Sequence, residues 1–119
     1  MSPDLDLACA RAAATVPRLE PMMNLSTAAA AVLAQNGPYA LFIYLRDQKK
    51  ANRKEAAERI QQAAFRLLSE EVGLAAASTT DGMQASVMAL CADLEKMLLA
   101  KALLAQMLMY LRYHARAGA

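Results

Sequence analysis

Apolar residues recur at helical spacing along most of the chain, and the places where that rhythm fails mark its corners. Leu5, Ala8, Cys9 and Ala12 form a narrow stripe on a first helix. Ser2 is placed to cap it, Pro3 suits its first turn, and Asp4 and Asp6 suit its positive end. Pro17 and Pro21 break the pattern between Val16 and Met22. Leu25, Ala28, Ala29, Val32 and Leu33 then repeat on a second helix that runs to Gln35. At Asn36-Gly37-Pro38 an apolar run stops and another starts. Glycine suits a helix end and proline the first position of the next helix, so a third helix is predicted from Tyr39 to about Lys49. Leu41, Phe42, Ile43 and Leu45 cover most of it, so little of its surface is left for water. Two helices joined this tightly must pack on each other or on a common third element.

At Arg46 the text becomes RDQKKANRKEAAER. Asn52 followed by Glu55 has the form of a capping box and predicts the start of a fourth helix, with Ala57, Ile60, Ala64, Leu67 and Leu68 on one face and its end at Gly73. Glu55 and Arg59 stand one turn apart and can pair. The small, polar stretch from Leu74 to Gly82 predicts the longest loop. Thr80 or Asp81 would then cap a single last helix reaching about Arg116. Val87, Leu90, Cys91, Leu94, Met97 and Leu98 make one stripe on it; Leu99, Leu103, Met107 and Tyr110 add a second apolar face. A helix apolar nearly all round is either central to a bundle or covered by a partner. The reading is all-α: one domain over residues 1–119, a small bundle of five helices with a long C-terminal helix.

Composition agrees with this reading. The chain has 119 residues, 57% of them hydrophobic, with no Trp, two Phe and four Tyr. Strand formers are sparse. Eight Met fit irregular core gaps better than a recognition groove. The N-terminus lacks the basic-then-apolar layout of a signal peptide. The longest apolar run, Met97 to Leu111, is interrupted by Lys101 and Gln106 and falls short of the roughly 18 uncharged residues of a bilayer span. A cytoplasmic protein is expected, with Cys9 and Cys91 as buried, reduced thiols.

Catalytic chemistry finds little footing. His114 is the single histidine, with no Ser, Cys or Asp beside it in a nucleophile–base arrangement. Glu70-Glu71 and Asp93-x-Glu95 fit solvated helix faces, the four glycines form no phosphate loop, and neither a metal set nor a cofactor motif is present. A non-enzyme without cofactor is expected.

Thirteen Lys and Arg against eleven Asp and Glu leave a net charge of only +2, so distribution matters more than sum. Arg46, Lys49, Lys50, Arg53 and Lys54 crowd the middle of the chain. If helical, Lys49 and Arg53 lie one turn apart, as do Lys50 and Lys54. Such a row can track a phosphate backbone; it also suits a solubilising helix junction. Lys101, Arg112 and Arg116 share a face of the last helix, where Tyr110 and Tyr113 are placed either to stack on bases or to be buried in the bundle.

Two segments carry a family resemblance. VLAQNGPYALFIYLRDQ resembles the aliphatic, Asn-Gly, leucine-rich segment of the small subunit of type III-B CRISPR effector complexes, the RAMP-module Cmr complex. MLLAKALLAQMLMYLRYHARA is similar to that family's last helix, an Ala/Leu-rich run followed by an aromatic, a Leu and basic residues. The resemblance implies a non-catalytic helical protein in several copies. These would stack head to tail beside the backbone subunits and below the large subunit, with a basic surface toward guide RNA and single-stranded target RNA. Copies of itself and the other effector subunits are then its partners. The family has no motif to carry over residue by residue. Arg46, Lys49, Lys50, Arg53, Lys54, Arg112 and Arg116 are therefore chosen as nucleic-acid-binding candidates from charge placement. The rival expectation is a helical adaptor or homo-oligomeric scaffold that binds only protein.

Overall fold

The computed structural model describes residues 2–74, 77 and 79–117. Five helices follow in order: α1 (Pro3–Ala14), α2 (Met22–Arg46), α3 (Ala51–Glu71), α4 (Thr80–Leu90) and α5 (Leu94–Ala117). No strand occurs among the described residues, so the fold is all-α, a small bundle with a long C-terminal helix. It measures 38 × 33 × 26 Å.

α1 begins as its sequence dictates: Ser2 Oγ accepts a hydrogen bond from the Leu5 N–H at 3.3 Å, and Pro3 occupies the first turn. Cys9 and Ala13 are its buried residues. α2 holds the Asn36-Gly37-Pro38 break within it. Gly37 has φ 91° and ψ −178°, outside any helix, so the two predicted helices are present and meet at a kink within α2. That backbone region is essentially restricted to glycine. Pro38 has no N–H to return to the Ala34 carbonyl, four residues earlier, and the Lys101 ammonium of α5 donates to that oxygen instead, at 3.2 Å. The first segment is thereby tied to α5, the helix on which α2 packs most extensively. Leu25, Ala29 and Leu33 from the first segment and Leu41, Phe42 and Leu45 from the second are buried. Ile43, expected in the core, is exposed.

Three expectations are corrected here. α2 ends at Arg46, not near Lys49, and α3 starts at Ala51 with Lys50 as its uncapped preceding residue. The capping box is not formed, because Asn52 Oδ1 accepts from the adjacent Arg53 N–H at 2.9 Å. The expected Glu55–Arg59 pair is also not formed: among the described residues the one ion pair is Arg46–Asp81.

The largest correction is at the end of the chain. The single last helix predicted from about residue 80 is two helices, interrupted at Cys91–Asp93. Thr79, not Thr80 or Asp81, caps α4 by accepting from the Gly82 N–H at 3.0 Å. Asp93 caps α5 by accepting from the Lys96 N–H at 3.1 Å, so the carboxylate expected on a solvated helix face is a helix start. The interruption rephases the stripe. Val87 and Leu90 are buried, whereas Leu94 and Leu98 are 65% and 53% exposed. The core of α5 is Ala100, Leu103, Leu104, Met107, Leu108 and Leu111 instead. By length and hydropathy α2 is the one described helix fit to cross a membrane; here Leu25, Leu33, Leu41, Phe42 and Leu45 are buried, while Met23 and Ile43 are exposed.

Gln61 on α3 is 5% exposed, and its Nε2 has no hydrogen-bond partner. An unsatisfied buried donor costs about 1–3 kcal/mol, so Gln61→Leu is expected to raise stability by roughly that amount in urea titrations. Gly37→Ala is expected to do the reverse. An added Cβ meets nothing within 4 Å, so the destabilisation, about 1–3 kcal/mol, would come from the backbone conformation alone. An unchanged denaturation midpoint for Gly37→Ala would show that this backbone geometry is not required.

Candidate nucleic-acid interface and polar clusters

The turn between α2 and α3 is assembled by its own side chains. Gln48 Nε2 donates to the Tyr44 carbonyl at 3.0 Å, closing one of the last open carbonyls of α2. Arg53 reaches back from the first turn of α3 to donate to Gln48 Oε1 at 3.1 Å and to the Tyr44 hydroxyl at 3.5 Å. Arg53 is therefore a half-buried tie across the corner. Arg46 is similarly engaged. Its guanidinium meets the Asp81 carboxylate at 2.6 Å and donates to Gln84 Oε1 at 2.7 Å, while Gln84 Nε2 donates to the Tyr39 hydroxyl at 3.1 Å. This chain of contacts fastens α4 to the second segment of α2.

Of the five central candidates, then, Arg46 and Arg53 are engaged within the fold. Lys49, Lys50 and Lys54 are exposed, and none has a carboxylate within 4 Å among the described residues. Lys49 lies outside both helices, so it is not in helical register with Arg53; the Lys54 N–H does bond the Lys50 carbonyl, at 2.7 Å. Asp47, Gln48, Lys49, Lys50 and Arg53 line a shallow depression beside this corner. Three ammonium groups within six residues can each meet a phosphate oxygen without first breaking an internal bond. They supply charge but no geometry for reading bases.

At the other end of the chain Arg112 and Arg116 are exposed on α5. Lys101, on the same helix, is occupied by the Ala34 carbonyl. Tyr110 donates to the two oxygens of Asp6 at 2.8 and 3.0 Å, and Gln106 Nε2 donates to the same carboxylate at 2.7 Å. The Asp6 bond raises the Tyr110 pKa by holding the phenol proton. Tyr110 is thus a tie between α1 and α5, and the ring of His114 stacks on it with centroids 6.5 Å apart. Tyr113, by contrast, is 54% exposed.

One charged feature was not legible in the sequence. A cleft of about 240 Å³ between α1 and α3 is lined by Arg11, Thr15, Arg66, Glu70 and Glu71, and an adjoining one by Arg59, Gln62, Arg66 and Met83. Arg59 and Arg66 are seven residues apart, two turns on one helix face, which sequence spacing does show. That Arg11 of α1 lines the same cleft as Arg66 is a product of tertiary packing. With carboxylates on the same wall, the cleft is of mixed charge rather than a cationic track.

Cys9 Sγ donates to the Leu103 carbonyl at 3.4 Å. Burial, with the charges of Asp6 and Glu71, pushes its pKa from 9.0 to about 11. The two thiols differ: Cys9 is buried, whereas Cys91, also expected to be buried, is half-exposed. Among the described residues no group of His, Cys, Asp and Glu is arranged to hold a metal ion. No family model, no curated protein and no solved structure matches the chain.

The thiol geometry predicts that a disulfide-exchange reagent at pH 8 titrates one thiol in the native protein, that of Cys91, and two after denaturation. Because the folded state holds the Cys9 proton to about pH 11, while an unfolded thiol loses its proton near 9.0, stability should fall as pH rises through that window. Rapid labelling of Cys9 in the native protein would contradict both expectations.

Proposed function

We propose that the chain is a non-catalytic structural subunit of an RNA-guided effector complex of the type III-B CRISPR kind. In this reading it works in the cytoplasm and touches guide or target RNA through the α2–α3 corner. The observation that carries the reading is the exposed trio Lys49, Lys50 and Lys54, left without internal partners while neighbouring Arg46 and Arg53 are used in folding. The two-segment resemblance and the small all-helical fold support it further. Contacts of this kind are weak singly and add up over several copies in one assembly. They read backbone and shape. Arg112 and Arg116 would serve as a second, separate contact.

A protein-only adaptor or scaffold is the second reading, favoured by one specific observation: Leu94 and Leu98 stand exposed on the outer face of α5.

The test is purification of the tagged protein from its native cells, with sequencing of co-purified RNA. It is paired with the charge reversal Lys49→Glu, Lys50→Glu and Lys54→Glu, in which Arg53 is left intact to spare the corner. Short guide RNAs recovered with a large subunit and a repeated backbone subunit are expected. The variant assembly is expected to bind target RNA at least about tenfold more weakly at low salt. Its slope of log K against log salt should be shallower by about 0.7 for each phosphate that is no longer neutralised. Protein partners recovered without RNA would favour the adaptor. An unchanged RNA affinity in the triple variant would remove this corner from the mechanism.

A further inference from the structure

α5 is apolar on two opposite sides, and the bundle uses only one. Ala100, Leu103, Leu104, Met107, Leu108 and Leu111 are buried against the rest of the fold. On the opposite side Leu94, Leu98, Ala102, Ala105, Met109 and Tyr113 follow one another at intervals of three and four residues, which places them on a single stripe five turns long. Leu94, Leu98, Ala102, Ala105 and Tyr113 are exposed and Met109 is half-exposed. Isolated surface leucines need no explanation, but a continuous stripe along a 24-residue helix, about 36 Å long, marks an interaction surface.

The order of residues along the stripe says what covers it. Large side chains stand at both ends and alanines in the middle, so two such helices can approach closely at their centres and interlock at their ends. The sequence is also complementary to its own reverse. About a point between positions 103 and 104, Leu94 falls level with Tyr113, Leu98 with Met109, and Ala102 with Ala105. The charges follow the same symmetry. Asp93 and Glu95 lie at the start of the helix, with Lys96 offsetting one of these charges, and Arg112 and Arg116 lie at its end, all exposed. Antiparallel pairing brings the acidic end of one copy beside the basic end of the other, and it also opposes the two helix dipoles. A parallel arrangement would set like charges together at both ends.

We propose that the outer face of α5 is a homodimer interface in which two copies pack their last helices antiparallel about a two-fold axis between positions 103 and 104. The contact is isologous, with the same patch on both copies, and it closes on itself. It therefore differs from head-to-tail stacking, which joins two unlike patches of each subunit. It is independent of the RNA contact proposed at the α2–α3 corner, because Lys49, Lys50 and Lys54 take no part in it; Arg112 and Arg116 would face the partner copy in the dimer rather than RNA.

The experiment uses the full chain, purified without RNA, and reads mass by sedimentation equilibrium up to roughly 100 μM, a range that captures a micromolar dimer. A dimer is expected. Leu98→Glu should give a monomer with an unchanged helical circular dichroism spectrum, since Leu98 is not part of the core. Orientation is read by oxidative cross-linking in a Cys91→Ser background. Ala102→Cys is expected to link to its own copy, being next to the axis. Leu94→Cys, about 28 Å from its symmetry mate along the helix, is expected not to, but to be joined by a short bismaleimide to Tyr113→Cys when the two variants are mixed. A monomer throughout the concentration range overturns the proposal, as does a dimer that Leu98→Glu leaves intact. Self-linking of Leu94→Cys would overturn the antiparallel arrangement.

Discussion

The fold depends on how one interrupted helix keeps its backbone satisfied. Pro38 removes the N–H that would have closed the Ala34 carbonyl, and Gly37 takes a conformation that a side chain would resist. Lys101 of the neighbouring helix places its ammonium on the stranded oxygen, and apolar residues on both sides of the break are buried in the core. The same contact sets the height of α5 against α2, so that Leu33 before the break and Leu41, Phe42 and Leu45 after it share one core with Leu103, Leu104 and Met107. A defect in one helix thus becomes the registration point between two.

The smaller helices are attached by polar clusters that serve the same end. Asp6 of α1 gathers Gln106 and Tyr110 of α5, and Asp81 and Gln84 of α4 gather Arg46 and Tyr39 of α2. Each cluster orients a helix that has few buried residues of its own; α1 and α4 have two apiece. A consequence is that charge is divided into two classes. Arg46, Arg53 and Lys101 hold the fold together, whereas Lys49, Lys50, Lys54, Arg112 and Arg116 remain available to other molecules.

Two free surfaces of different character remain. The α2–α3 corner offers cations without apolar support, which suits a phosphate backbone. The outer stripe of α5 offers apolar area with charge at its two ends, which suits another helix. The two surfaces differ in kind and lie on different elements, one cationic at the α2–α3 corner and one apolar along α5. The clefts beside α3 add a mixed-charge wall, with Arg59 and Arg66 on the same helix face and carboxylates nearby.

Much of this was written in local sequence. Ser2-Pro3 set the start of α1, Asn36-Gly37-Pro38 set the break in α2, and the periodicity of Ile60, Ala64, Leu67 and Leu68 set the buried face of α3, because each depends on backbone stereochemistry or on side chains within a turn or two. The interruption at Cys91–Asp93 was missed because the apolar rhythm continues across it in Leu90, Leu94 and Leu98, and the only local sign was an aspartate suited to a helix cap. Which face of α5 is inside, and which cations are free, belonged to the tertiary structure. Both faces of α5 are apolar, so periodicity offers no choice between them; the position of α1 and α2 makes that choice. An arginine looks the same in sequence whether it meets water or a distant carboxylate. Only packing brings Asp81 to Arg46 across 35 positions of chain and leaves Lys49 with none.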